Sequence, residues 1–201
     1  VLQALVLTLS FFAAWLLTTV VHELGHAKVA EASRENVLVE VAGPPLVSFP
    51  VGKFGRSRTL VRVGPCSLRG GRCLHEGDQL PNAEYLRLYR SGWRATLNLS
   101  FVGAAACTLL SGLLLFVAGN GGLVLGLVVG GPFAGVPFLH SFENALVKHS
   151  GKLGDDGDVN HGSDAWNVGE IKKASRHGMQ YAPMLMNDDE VKCFREAWKS
   201  S

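Results

Sequence analysis

The chain has 201 residues, 47% hydrophobic and 18% charged, with four cysteines and a net charge of +2 at neutral pH. So apolar a composition excludes a disordered chain and a collagen-like repeat, and four scattered cysteines are too few for a disulfide-stapled scaffold. The basic residues form no single stripe, so no nucleic-acid partner is expected.

The shortage of charge is local. All 19 Lys and Arg lie within Lys28–Arg94 or Lys148–Lys199, and Glu23 and Glu143 are the only acids in residues 1–27 and 95–147. Long uncharged apolar runs between charged blocks are the pattern of a multi-pass membrane protein. About 20 apolar residues cross the hydrocarbon core, and Leu2–Val21 supplies them with Gln3 and a few hydroxyls as its polar members. The first residue is Val1 rather than Met, which reads as a fragment or a processed form. A cleaved signal peptide is not expected, because no basic region precedes the apolar run and that run continues into His22.

Residues 36–80 read as β-rich. Three short β-branched runs, 37–43, 45–51 and 59–64, are bounded by Gly and Pro. Leu80–Trp93 follows as an amphipathic helix whose Tyr85, Leu86, Leu88, Tyr89 and Trp93 share a side, with Arg87, Arg90 and Arg94 suited to a membrane surface. Ala95–Ala118 is a second uncharged run. Gly119-Asn120-Gly121-Gly122 reads as a tight turn into a third, Leu123–Leu139, where Gly126, Gly130, Gly131 and Gly135 would let helices approach closely. Pro132 and Pro137 are expected to kink that helix or end it early.

Gly151–Ser163 reads as a solvated Gly-rich loop, since its Asp155, Asp156 and Asp158 do not have the spacing of a calcium loop. A helix is expected at Ala165–Arg176. Asn187, with Glu190 three residues on, then reads as an N-cap opening a last helix through Trp198.

The fold class expected is thus membrane α-helical, with three transmembrane helices and a small cytoplasmic β-rich insertion. Its segments are 1–34 (first span), 35–94 (β-rich insertion and amphipathic helix), 95–140 (helical hairpin), 141–176 and a tail, 177–201. Ten Lys and Arg fall in residues 31–95 and eight after Val147, so the positive-inside rule places both polar segments in the cytoplasm of a plasma (inner) membrane protein. Cys66, Cys73 and His75 have no zinc-knuckle spacing and read as ordinary side chains in a reducing compartment.

One motif carries chemistry. His22-Glu23-Leu24-Gly25-His26 has the form H-E-x-x-H at the end of the first span. Residues four apart stack on one helix face, so both imidazoles reach one Zn2+ ion, while Glu23 projects about 100° away and reaches a water on that ion. Zinc lowers the pKa of the water, and Glu23 takes its proton as general base. Two His and a Glu in a membrane helix are costly to bury, which argues for function over packing.

With this motif ending a transmembrane helix, a β-rich stretch after it and a later Asn-to-Asp segment, the chain resembles the site-2 protease family of intramembrane zinc metallopeptidases over roughly residues 1–170. The family takes its third zinc ligand from an Asp, typically after an N-x-x-P stretch. Glu143-Asn144-Ala145-Leu146-Val147-Lys148 looks like the Asn segment and Ser163-Asp164-Ala165 like the Asp segment, with no Pro in the Asn segment, which ends at Lys148, and Ala165 in place of a Gly. The resemblance implies peptide-bond hydrolysis in or near a transmembrane segment of another membrane protein, with Asp164 as third ligand and Asn144 orienting substrate. Asn98 corresponds to an Asn that some members carry in the second span.

A catalytic zinc needs three protein ligands and an open position. Outside the motif, His140, His149, His161 and Asp164 are available. Asp164 is favoured; in the alternative it only caps the helix Ala165–Arg176. His140 either ligates or hydrogen-bonds the tetrahedral intermediate. His161 and His177 read as solvent-exposed. Residues 36–63 offer a strand edge that an unwound substrate could join. Oligomeric state is not legible. The rival function is a catalytically inactive zinc-binding membrane scaffold.

Overall fold

The computed structural model describes residues 2–32, 36–41, 45–54, 57–64, 70–146, 163–180 and 185–199. Its elements in chain order are α1 (Leu2–Ala32), β1 (Val37–Val41), β2 (Val47–Phe54), β3 (Ser57–Val63), β4 (Gly71–His75), α2 (Asn82–Leu146), α3 (Asp164–Arg176) and α4 (Asp188–Lys199). Cys66, Lys148, His149, the 151–162 loop with its three aspartates and His161 lie outside the described residues.

α1 turns its small and polar residues inward. Ala14, Thr18, His22, Gly25 and His26 are buried at helical spacing, while Leu2, Leu5, Leu9, Phe11, Phe12 and Leu17 are exposed. Its threonine hydroxyls are satisfied within the helix, Thr18 donating to the Ala14 carbonyl (2.6 Å) and Thr19 to that of Trp15 (3.1 Å).

α2 differs from the expectation in two respects. No surface helix stops at Trp93: the helix that starts at Asn82 runs unbroken into the second apolar run. No Gly or Pro lies between Trp93 and the run, and Tyr85, Leu88 and Tyr89 pack into the protein core beside Ala27 and Ala30 of α1 instead of facing lipid. The helix also continues through Pro132 and Pro137 to Leu146. Pro137 cannot donate to the Phe133 carbonyl, and that carbonyl faces Gly103 across the turn, while the Ser100 hydroxyl donates to the adjacent Ala134 carbonyl (2.7 Å). A neighbouring helix thus tends the backbone that the prolines disturb.

The one break in α2 is Gly119, at φ 61° and ψ −150°, in the left-handed half of φ space that glycine enters at no steric cost. It folds α2 into two arms, 82–118 and 120–146. Glycines make the seam: a Cβ on Gly122 would lie 2.0 Å from the Leu114 carbonyl oxygen, on Gly126 2.6 Å from Ser111 Cα and on Gly130 2.8 Å from Cys107 Cβ. Gly131 and Gly135 face open space, so only Gly126 and Gly130 of the expected small-residue face are used in this packing. The Ser141 hydroxyl closes the hairpin base on the Trp93 carbonyl (2.8 Å). Leu2–Ala32 and Asn82–Leu146 are each long and apolar enough to cross a membrane, and most of their apolar surface is exposed, up to 75% for Leu109 and 90% for Phe116.

The β-rich insertion is one four-stranded sheet in the order β2-β3-β1-β4, with β1 parallel to β3 and the other pairs antiparallel. β4 was not expected as a strand. Alternation along β1 divides two cores: Val37, Val39 and Val41 pack against α1, α2 and Ile171 of α3, while Leu38 joins Leu60, Leu74 and Phe194 of α4 on the other face. The expected tail helix is therefore the cover of the sheet. Its capping box is formed as read, the Glu190 amide donating to Asn187 Oδ1 and the Asn187 amide to Glu190 Oε2, both at 2.9 Å.

Phe194 is 2% exposed, so Phe194→Ala should cost about 3 kcal/mol and detach α4. The stacked Trp198 ring, 6.0 Å away, reports this as a fluorescence change and earlier proteolysis of the tail, with the rest of the chain still folded.

Candidate metal centre

α1 delivers His22 and His26 to one face, and the first residue of α3 brings Asp164 to meet them. His22 Nε2 lies 3.3 Å from Asp164 Oδ2, His26 Nε2 lies 3.4 Å from Asp164 Oδ1, and the two Nε2 atoms are 3.1 Å apart. All three side chains are buried, and among the described residues no other cluster of His, Cys, Asp or Glu is arranged to hold a metal ion. The N-cap of α3 is Ser163, so Asp164 is not the cap; its carboxylate turns inward to the imidazoles. Burial alone would raise the Asp164 carboxyl, but the facing His26 and His22 outweigh it and hold the group below the usual carboxylate range.

These residues fit a zinc ion. With bonds of about 2.0–2.1 Å and tetrahedral angles, neighbouring ligand atoms sit roughly 3.3–3.4 Å apart; the two Nε2 atoms (3.1 Å) and the His22 Nε2–Asp164 Oδ2 pair (3.3 Å) come close to this, and one ligand atom from each of the three residues lies within 4.8 Å of the others. Asp164 Oδ2 is buried without a hydrogen-bond partner, as expected of an atom meant for a cation. His26 Nδ1–H donates to the Leu88 carbonyl (2.7 Å), which leaves the Nε2 lone pair for the metal.

Glu23 is buried on the sheet side of the motif, against Gly71 of β4, where a Cβ would lie 2.6 Å from Glu23 Cγ and 2.9 Å from Oε1. The carboxylate is thus beside the cluster without belonging to it.

Three further features were not read from the sequence. Gly92 of α2 lies flush beneath the imidazoles, where a Cβ would stand 2.5 Å from His26 Nε2 and 2.9 Å from His22 Cε1. Gly25, inside the motif, lets α2 approach, its Cβ position being 2.7 Å from the Ser91 carbonyl oxygen. The Leu88 carbonyl orients His26. A glycine one helical turn after Leu88 was the available signal, since an interior helix glycine often marks a close approach.

His140 lies beside the cluster, its ring edge-on to His22 at 4.8 Å between centroids, but outside the ligand set. Asn144 reaches back one turn to His140. Asn98 is exposed and its side chain makes no hydrogen bond among the described residues; six residues past Gly92, it stands about 120° away from the buried face. His177 is exposed, as expected. Cys73 packs in the core, where burial pushes its thiol well above the ordinary value and keeps it a neutral side chain. Buried His75 meets the Tyr85 hydroxyl at 3.1 Å.

Comparison with family models, curated proteins and solved structures finds no match for the chain. The structure itself shows a buried cluster of two His and one Asp able to coordinate a metal ion.

Proposed function

We propose that the protein is an intramembrane zinc metalloendopeptidase of the site-2 protease kind. The carrying observation is the closure of the His22/His26 pair by Asp164, far along the chain, with Glu23 buried next to the three but not among them. A purely structural zinc site is closed by four protein ligands, whereas three protein ligands and an adjacent carboxylate suit hydrolysis. A zinc ion held there would polarise the scissile carbonyl and lower the pKa of a bound water.

The chain's own residues do the rest. His26, anchored to Leu88, and His22 and Asp164 hold the ion, and Glu23 removes the proton of the attacking water and passes it to the leaving nitrogen. The exposed leucines and phenylalanines of α1 and both arms of α2 support three crossings of a lipid bilayer, with the metal end at the cytoplasmic side where the Lys and Arg lie.

The substrate is a transmembrane segment of another membrane protein, unwound to expose its backbone. The strand that serves it is β4 and not the 36–63 stretch. β4 touches Glu23 through Gly71, and β2, the free edge of that stretch, lies three strands away, about 14 Å. Among the described residues only Leu185 bridges the outer edge of β4, at His75, so the Gly71 end is open to strand addition.

Detergent-solubilised, zinc-loaded protein should hydrolyse fluorescein-labelled β-casein, an unfolded chain. Activity should vanish with 1,10-phenanthroline and return with added Zn2+. Hydrolysis indifferent to the chelator would defeat the reading.

A further inference from the structure

The Asn144 carboxamide is already engaged within the protein. Its nitrogen lies 3.0 Å from the His140 carbonyl oxygen and 3.2 Å from Nδ1 of the same residue. A carbonyl oxygen only accepts, so the amide atom facing it is the NH2, and an NH2 group only donates. Nδ1 of His140 is therefore the bare, accepting nitrogen. In the neutral ring the proton then sits on Nε2, for which no described residue provides a hydrogen-bond partner.

The His140 ring stands edge-on to His22 on one side (4.8 Å) and to Trp15 on the other (6.2 Å). The Trp15 indole N–H is itself buried with no partner. Among the described residues, the wall between α1 and the second arm of α2 thus carries two N–H donors without a protein acceptor, that of Trp15 buried and that of half-buried His140, beside the metal cluster. Donors held in this way suit a guest rich in acceptors, and an unwound peptide backbone is one.

We propose that His140, as the Nε2–H tautomer, donates to the carbonyl oxygen of the scissile peptide as that oxygen gains negative charge, and that Asn144 is a positioning residue that holds this tautomer. Trp15 serves a neighbouring backbone carbonyl of the same extended segment. The proposal rests on the metallopeptidase reading above. It replaces direct substrate contact by Asn144 with contact through His140.

The test uses detergent-solubilised, zinc-loaded protein and N-phosphoryl-Leu-Leu-amide, whose charged tetrahedral phosphoryl group imitates the adduct at the carbonyl carbon. Probe affinity and zinc affinity are measured separately, by calorimetry and by chelator competition. His140→Phe should weaken probe binding about 100-fold, as loss of one such donor does. His140→Gln, which restores an N–H, should recover most of it. Asn144→Leu, of similar size, removes the donor that keeps Nδ1 the accepting nitrogen and frees the other tautomer, so probe binding should fall several-fold. Zinc affinity should be the same in all variants.

The proposal is overturned if zinc-loaded wild type does not bind the probe or if His140→Phe binds it within twofold of wild type. It is equally overturned if zinc affinity falls in step with probe affinity, which would make His140 a mere support for His22. Wild type that binds no zinc overturns the metallopeptidase reading itself, whereas zinc binding with a probe insensitive to His140 overturns this proposal alone.

Discussion

Glu23→Gln should lower hydrolysis of labelled casein by about 10³-fold, roughly 4 kcal/mol of barrier, while the protein still binds one equivalent of zinc. The cluster able to hold the ion is His22, His26 and Asp164, so zinc binding should not depend on Glu23. Glutamine has the same shape and keeps the contact with Gly71, where glycine leaves room for the side chain and nothing larger. What glutamine lacks is a site to receive a proton. A variant that cleaved at the wild-type rate would point to another base. Wild type and variant both inert, with zinc bound, would favour the inactive scaffold.

Gly92→Ala should weaken zinc binding about 10- to 100-fold, the range typical of changes just outside a metal's ligands. The added methyl would occupy space 2.5 Å from His26 Cε1 and Nε2, and His26 cannot swing aside without losing the Leu88 carbonyl. Gly131→Ala is the matched control, since nothing lies within 4 Å of its Cβ position. Chelator competition reads the affinity, and circular dichroism should show unchanged helix content in both. Equal zinc affinity in the two variants would mean that the close approach of α2 does not shape the cluster.

What the sequence made legible was local. The apolar runs at both ends of the Lys28–Arg94 block, the β-branched runs 37–43, 45–51 and 59–64 and the Asn187/Glu190 cap all carry their signal within a few residues. His22, Glu23 and His26 were readable for the same reason, since the spacing of a helix sets their relation.

What was not legible depends on a partner element. β4, Gly-Arg-Cys-Leu-His, has no β-branched residue and is a strand because β1 pairs with it from Val37 to Val41. The prolines of α2 read as kinks or an early end, yet the helix continues through them, and Gly103 and Ser100 on the opposite arm accommodate the disturbed backbone. Asp164 was suggested by a resemblance, and its placement 3.3–3.4 Å from the histidines comes with the packing of α3, through Ile171, into the core shared with α2. Gly92, a glycine inside a helix, signalled a close approach but not what approaches it, which only the folded position of His22 and His26 supplies.

The most direct test of the metal centre is zinc content per chain in detergent-purified protein, for wild type, His26→Ala and Asp164→Ala. The geometry predicts about one zinc per chain in wild type and a loss in both variants, because each removes one of three converging ligands. Zinc retained by Asp164→Ala would contradict the ligand set, and folded wild type that took up no zinc on resupply would contradict the peptidase.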